Sequence, residues 1–202
     1  MRLLVIAAAL AVAPAAAAQT AWLNERTRGA ETAPVTIFEI ADFQCPACRD
    51  FFIRTIPALD RDYVATGKVR IVFVNLPLVT IHPNAAAAHE FAMCAASQNR
   101  FWPVHDLLYR HQAVWAGLAD PSSYFGVLAD SAALHREQLG RCIASGEMRQ
   151  LVLAEGNGAV QNGITSTPSF VIEGGLISGA VPMEALAPVL DSILAGKRAG
   201  GR

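Results

Sequence analysis

This 202-residue chain lacks an excess of charge of either sign, a long unbroken apolar run and a second pair of closely spaced metal ligands. Its 16 Lys and Arg face 17 Asp and Glu, a formal net charge of −1, so it has no basic stripe. That excludes the electrostatic footprint of a nucleic-acid binder or of a protein held on an anionic membrane surface. Only 16% of residues are charged and 53% are hydrophobic, ample for a buried core. The N-terminal apolar run, Leu3 to Ala13, is cut by Pro14 and falls short of the roughly 18 residues that a membrane span needs. With Arg2 before it and Ala16-Ala17-Ala18 ahead of Gln19, residues 1–18 are predicted to be a cleaved signal peptide rather than an anchor. The mature chain is then expected in an oxidising compartment, the bacterial periplasm. No internal repeat is present.

Cysteines are few and unevenly placed. Cys45 and Cys48 form a close pair, while Cys94 and Cys142 stand alone about 48 residues apart. Tetrahedral zinc takes four ligands, commonly a second Cys pair or a matched His pair. Neither single cysteine nor His82, His89, His105, His111 or His135 completes such a set. No metal and no cofactor are expected. An even cysteine count in an exported chain favours two bridges.

The chemistry therefore centres on Cys45-Pro46-Ala47-Cys48, where an apolar strand meets a helix. An offset of three residues puts both sulfurs on one face of a helical turn, close enough to bridge. Cys45 falls at the helix N-terminus, where free N–H groups and the helix dipole stabilise a thiolate. Cys48 lies a turn deeper and can resolve a mixed disulfide formed at Cys45. The pattern is that of a thiol–disulfide redox pair.

Around this pair the element order is legible. Val35 to Ile40 reads as a buried strand. A helix follows from Cys45 or Pro46 through Phe51, Phe52, Ile56, Leu59 and Tyr63, kinked at Pro57 and ended by Gly67. Lys68 to Val74 is a second strand, and the three elements make a right-handed βαβ unit. Residues 77–162 then form an all-helical block. Helices are predicted over 83–98, about 100–112, from Pro121, from a cap at Ser131 through Leu134, Leu139 and Cys142, and over 147–161. Phe101, Trp102 and Tyr109 read as the core of that block, and His82 reads as a cap of its first helix or a residue lining a groove. Ser169 to Ile172 and Leu176 to Ser178 form a hairpin around Gly174-Gly175. A last helix opens at Pro182, followed by a frayed tail from Lys197. The fold class is α/β, a thioredoxin fold with an inserted all-helical domain: first half 19–76, insertion 77–162, second half 163–197, and a tail of 198–202.

Four segments carry a family resemblance across residues 30–195. They are Asp42-Phe43-Gln44-Cys45-Pro46-Ala47-Cys48; Gln98-Asn99-Arg100-Phe101-Trp102 with His105-Asp106-Leu107-Leu108; Gly163-Ile164-Thr165-Ser166-Thr167-Pro168-Ser169-Phe170; and Leu176-Ile177-Ser178-Gly179-Ala180. The chain resembles the DsbA-like thiol:disulfide oxidoreductases of bacteria. The resemblance implies that Thr167-Pro168 is a cis-proline dipeptide facing the redox pair and pairing with extended substrate chains, against an ordinary trans proline at a strand start. It implies a structural disulfide between Cys94 and Cys142. Glu39, six residues before Cys45, matches a buried acid that would raise the Cys48 pKa and relay its proton; strand alternation equally allows a wet polar position. Asp42 reads as a loop or cap residue. Strongly oxidising relatives often carry His where Ala47 stands, so a milder oxidant is expected. Partners implied are unfolded or reduced substrate proteins and a quinone-linked membrane reoxidase of the DsbB type, with the chain acting as a monomer and without nucleic acid. Two rival readings use the same thiols: a disulfide reductase or isomerase, and a copper-binding or chaperone-like module.

Overall fold

A computed structural model describes residues 22–200. The predicted signal peptide lies outside them. Strand β1 (Thr27–Arg28) precedes β2 (Val35–Ala41), then come helices α1 (Pro46–Arg54) and α2 (Ile56–Leu59), a π-helical turn (Asp60–Val64) and β3 (Val69–Asn75). Six helices follow: α3 (Ala85–Ala96), α4 (Phe101–Arg110), α5 (Gln112–Trp115), α6 (Ser122–Ser131), α7 (Arg136–Ser145) and α8 (Glu147–Gln161). The chain closes with β4 (Ser169–Ile172), β5 (Gly175–Ser178) and α9 (Met183–Gly200). No helix among the described residues is long and apolar enough to cross a membrane.

The sheet order is β1-β3-β2-β4-β5, with β2 and β3 parallel and the other pairs antiparallel. The βαβ unit and the C-terminal hairpin thus share the central strand β2, and the helices of 85–161 are inserted between them. This is a thioredoxin fold carrying an inserted helical domain. Register fixes which side chains share a face. Glu39 lies opposite Phe73 on one side and Phe170 on the other, and Arg28 pairs with Ile71, itself opposite Ile37. Because side chains alternate, Ile37, Glu39 and Ala41 all point to the face covered by α1. Ile37 there joins Phe51, Leu59, Phe170 and Leu190, while Ala41 joins Cys48, Phe52, Phe73 and the helical insertion. The redox helix is therefore packed into both cores.

Several local expectations are corrected. The first helix is broken rather than kinked: α1 ends at Arg54, and Pro57 sits in the first turn of α2, where its missing N–H costs nothing. Ser131 does not cap a helix; it is the last residue of α6 and its hydroxyl donates to Val127 O at 3.0 Å. The following helix starts after His135. Strand β1 falls within a lead-in that carried no periodicity, since two residues cannot display one. The C-terminal helix runs on to Gly200, with no proline after Pro188 to stop it, and Lys197 Nζ meets Glu173 at 2.9 Å.

Candidate active site

Cys45 occupies the N-cap of α1 in extended conformation, with Pro46 as the first helical residue. Its N–H donates to Asp42 O at 3.1 Å, which folds the loop back before the helix starts. Both thiols are reduced, and they differ in setting: Cys48 is fully buried while Cys45 is 7% exposed. The Cys45 thiol is pushed down to about 6, chiefly by the hydrogen bond from the Cys48 thiol, with Thr167 and the N–H groups of Cys48 and Ala47 adding to it against the cost of burial. Burial pushes the Cys48 thiol well up, and the neighbouring Cys45 sulfur pushes it further. Cys45 is thus the attackable, well-stabilised thiolate and Cys48 the protonated partner.

The Thr167–Pro168 peptide bond is cis. The Cys45 S–H donates to Thr167 O at 3.4 Å, so the loop before β4 faces the redox pair across 122 residues of sequence. Thr167 Oγ1 is buried and has no partner among the described residues. Pro168 O accepts from Gly179 N–H at 2.8 Å, tying this loop to the end of the hairpin.

Glu39 is buried, 2% exposed, on the sheet face beneath α1. Burial pushes its carboxyl up to about 8; Arg28 opposes that and Asp60 adds to it. At neutral pH it holds a proton. Of the two readings of Glu39, a wet polar position does not describe it.

Asp42 is more than a loop residue. It is fully buried, accepts from Gln44 N–H and Leu78 N–H at 2.8 Å each, and takes the His82 Nδ1–H at 2.8 Å. Burial would raise its pKa, but the His82 imidazole and the Leu78 N–H hold the carboxyl well below the usual range. His82 is correspondingly raised by Asp42, and the Cys45 sulfur raises it further. It caps no helix: Asn84 holds the position before α3, and His82 is committed to the redox loop.

Sequence reasoning missed the residues that hold this loop from the helical domain. Gln112 Nε2 donates to Phe43 O at 2.7 Å and Cys45 O at 2.9 Å. Gln44 accepts from Asn84 N–H at 2.7 Å and donates to Ala116 O at 2.8 Å. Phe43 N–H donates to His89 Nε2 at 3.3 Å, leaving Nδ1–H to donate to Asn75 Oδ1 at 2.7 Å. Their partners lie tens of residues away, so no local signal marks them. Cys94 of α3 and Cys142 of α7 form a disulfide, the pairing that the family resemblance implies, far along the chain from the redox pair.

Among the described residues no group of three or more His, Cys, Asp or Glu side chains converges as a metal site. The arrangement can exchange one disulfide, with the cis Thr167–Pro168 loop beside it.

Comparison with known proteins agrees with this geometry. A family model described as Thioredoxin matches residues 22–192. A Na(+)/H(+) antiporter NhaA 3 of Salinispora tropica is 36% identical over 182 residues, covering 89% of this chain and 26% of that protein. The chain thus spans about a quarter of the length of such curated relatives. A "Probable disulfide bond formation protein D" of Bacillus anthracis is 27% identical over 160 residues, covering 77% of this chain and 73% of that one. The crystal structure of Wolbachia pipientis alpha-DsbA1 superposes with a TM-score of 0.78 at 19% identity, covering 88% of this chain and 94% of that one. The chain belongs to the thioredoxin family, in the DsbA-like form whose fold is interrupted by a helical domain.

Proposed function

We propose that this protein is an exported thiol:disulfide oxidoreductase that donates the Cys45–Cys48 disulfide to newly translocated proteins. The observation that carries the reading is the opposite setting of two sulfurs three residues apart, one stabilised as thiolate and one held as thiol. A substrate thiolate attacks Cys45 Sγ; the Cys45–Cys48 bond breaks, a substrate–Cys45 bond forms, and Cys48 departs with the electron pair. Its raised basicity calls for a proton at once, and Glu39, buried and protonated beneath α1, supplies it. A second substrate thiolate then attacks the substrate sulfur, and Cys45 leaves as the better leaving group.

Substrate chains add to the loop at Thr167-Pro168 as an extra strand, by backbone hydrogen bonds that demand little of sequence. The remaining roles follow the same reading: export by residues 1–18 to the periplasm, reoxidation by a quinone-linked membrane partner of the DsbB type, a monomeric chain, and a Cys94–Cys142 bridge of structural purpose.

The deciding measurement is the equilibrium potential of Cys45–Cys48 against glutathione, with Cys94→Ser/Cys142→Ser as control. A value of about −120 to −180 mV supports a donor, with Ala47 in place of His favouring the milder end. A value near about −270 mV, like that of thioredoxin, makes the protein a reductase or isomerase.

A further inference from the structure

Three side-chain atoms are buried without a hydrogen-bond partner among the described residues, and two of them, Asp60 Oδ1 and His105 Nε2, share one cluster. Arg28 organises it. Its Nη1 meets Asp60 Oδ2 at 2.8 Å, its Nη2 meets Asp106 Oδ1 at 3.0 Å, and its guanidinium lies 4.2 Å from the Trp102 ring centre. The His105 Nδ1–H donates to the same Asp106 Oδ1 at 2.9 Å, so its unshared nitrogen is an acceptor turned inward. His105 is 1% exposed, whereas the side chains of Asp60 and Asp106 are each about a third exposed at a cleft of about 510 Å³ beside α1. One end of the cluster is therefore in water and the other is dry.

The dry end lies against β3, the strand next to the one that carries Glu39. Phe73, opposite Glu39 in the sheet, packs its ring 5.4 Å from that of His105, and Phe52 of α1 packs at 5.6 Å on another side. Arg28 and Asp60 act electrostatically on both Glu39 and His105. No hydrogen bond among the described residues involves the Glu39 carboxyl, which is a donor when protonated, and His105 offers an unused acceptor. A buried acceptor left unmatched is costly; a donor and an acceptor that both adjoin Phe73 can be matched by a bridging water.

We propose that His105, backed by Asp106 and Asp60, is the path by which Glu39 exchanges its proton with solvent at the Arg28 cleft. The path rests on the relay role of Glu39 proposed above. When Cys48 departs, Glu39 gives it one proton and becomes a carboxylate. A solvent proton enters at Asp60, is taken by His105 Nε2, and passes to Glu39 through the bridging water; Asp106 on Nδ1 holds the transient imidazolium. The balance is one disulfide broken, one formed, and one proton moved from solvent to Cys48. Reoxidation of the pair runs it in reverse. The titratable and charged groups facing His105 are Asp106 and Tyr109 of its own helix, Arg28 of β1 and Asp60 of the π-helical turn.

The test is the rate at which oxidised protein forms a mixed disulfide with a reduced peptide, quenched by alkylation, between pH 5 and 9 in H₂O and D₂O. Glu39→Gln is expected to slow the step by about tenfold or more throughout, and His105→Gln and Asp106→Asn to do so above pH 8, where Glu39 must first refill through the path, each with a changed solvent isotope effect. The Glu39→Gln/His105→Gln pair should be no slower than Glu39→Gln alone, while Asp106→Asn leaves the equilibrium potential unchanged. If Glu39→Gln is slow but His105→Gln and Asp106→Asn match the parent rate and isotope effect, the path is wrong and the relay by Glu39 stands. Should Glu39→Gln itself match the parent, relay and path both fall. Additive losses in the double variant also overturn the path. Asp106, partly exposed, keeps the test decisive if the buried His105 variant does not fold.

Discussion

Cys45 and Cys48 share a helical turn, yet one sulfur is met by N–H groups and a carbonyl loop while the other is sealed among aromatic and aliphatic side chains. Given a substrate that already carries a disulfide, Cys48→Ser should therefore accumulate a substrate–Cys45 mixed disulfide, visible by mass spectrometry, because Cys45 attacks and no second thiolate resolves the product; Cys45→Ser should form none. Thr167→Val removes a buried, unpartnered hydroxyl from a residue that helps hold the Cys45 thiol down. The thiolate absorbance of that variant should titrate above the parent midpoint of about 6. Glu39 makes a prediction about stability. Its pKa rises from 4.5 to about 8 on folding, so between these values the folded chain binds a proton that the unfolded chain releases. Stability should fall as pH rises through that window, and Glu39→Gln should flatten the fall in urea titrations at pH 5 and pH 8.5. His82 has the same sign: its folded pKa is raised, so the stability from its pair with Asp42 is complete below the unfolded value and lost as pH climbs through the folded one. The sequence marked the cysteines because their spacing is their chemistry. It left Glu39 open, because alternation says which side chains share a face and not whether a helix covers that face.

Among the elements, α1 has the longest reach: its N-terminus carries Cys45, its buried face carries Cys48, Phe51 and Phe52, and its end is set by Pro57. Strands β2 and β3 and the hairpin were legible, being β-branched runs bounded by glycine and proline. The helical boundaries were less so. Ser131 looks like a cap wherever it stands, and only the packing of α6 against its neighbours decides that it ends one helix instead of opening another. The Cys94–Cys142 bridge ties α3, against which the redox loop rests through His89, to α7 on the far side of the insertion. Closing a loop of 48 residues should stabilise by roughly 4 kcal/mol in the chain-entropy model. Cys94→Ser/Cys142→Ser is expected to lose about that much in urea unfolding while the potential of Cys45–Cys48 stays put.

At the scale of the molecule, a buried polar chain joins its parts. Arg26 makes a two-pronged ion pair with Glu155 of α8 at 2.6 and 2.8 Å; Glu155 accepts from the Asn75 amide at 2.7 Å; Asn75 accepts from His89; and His89 accepts from Phe43, two residues before Cys45. Breaking such a pair strands the Arg26 guanidinium, whose side chain is 1% exposed. Glu155→Ala should cost about 3 kcal/mol, read as a shift in urea midpoint at constant slope. None of this chain was legible beforehand, for it links residues 26, 43, 75, 89 and 155 by geometry alone. The central strand β2 takes one neighbour from before the insertion and the other from after it. Order of synthesis then matters. A ribosome that has made everything through α8 has delivered both redox cysteines but not the strand that flanks them or the loop that faces them. Until the last forty or so residues emerge, the nascent chain holds a bare dithiol beside an unpaired strand edge, open to the wrong partner. A redox pair built this way needs shelter before the fold that tunes it exists.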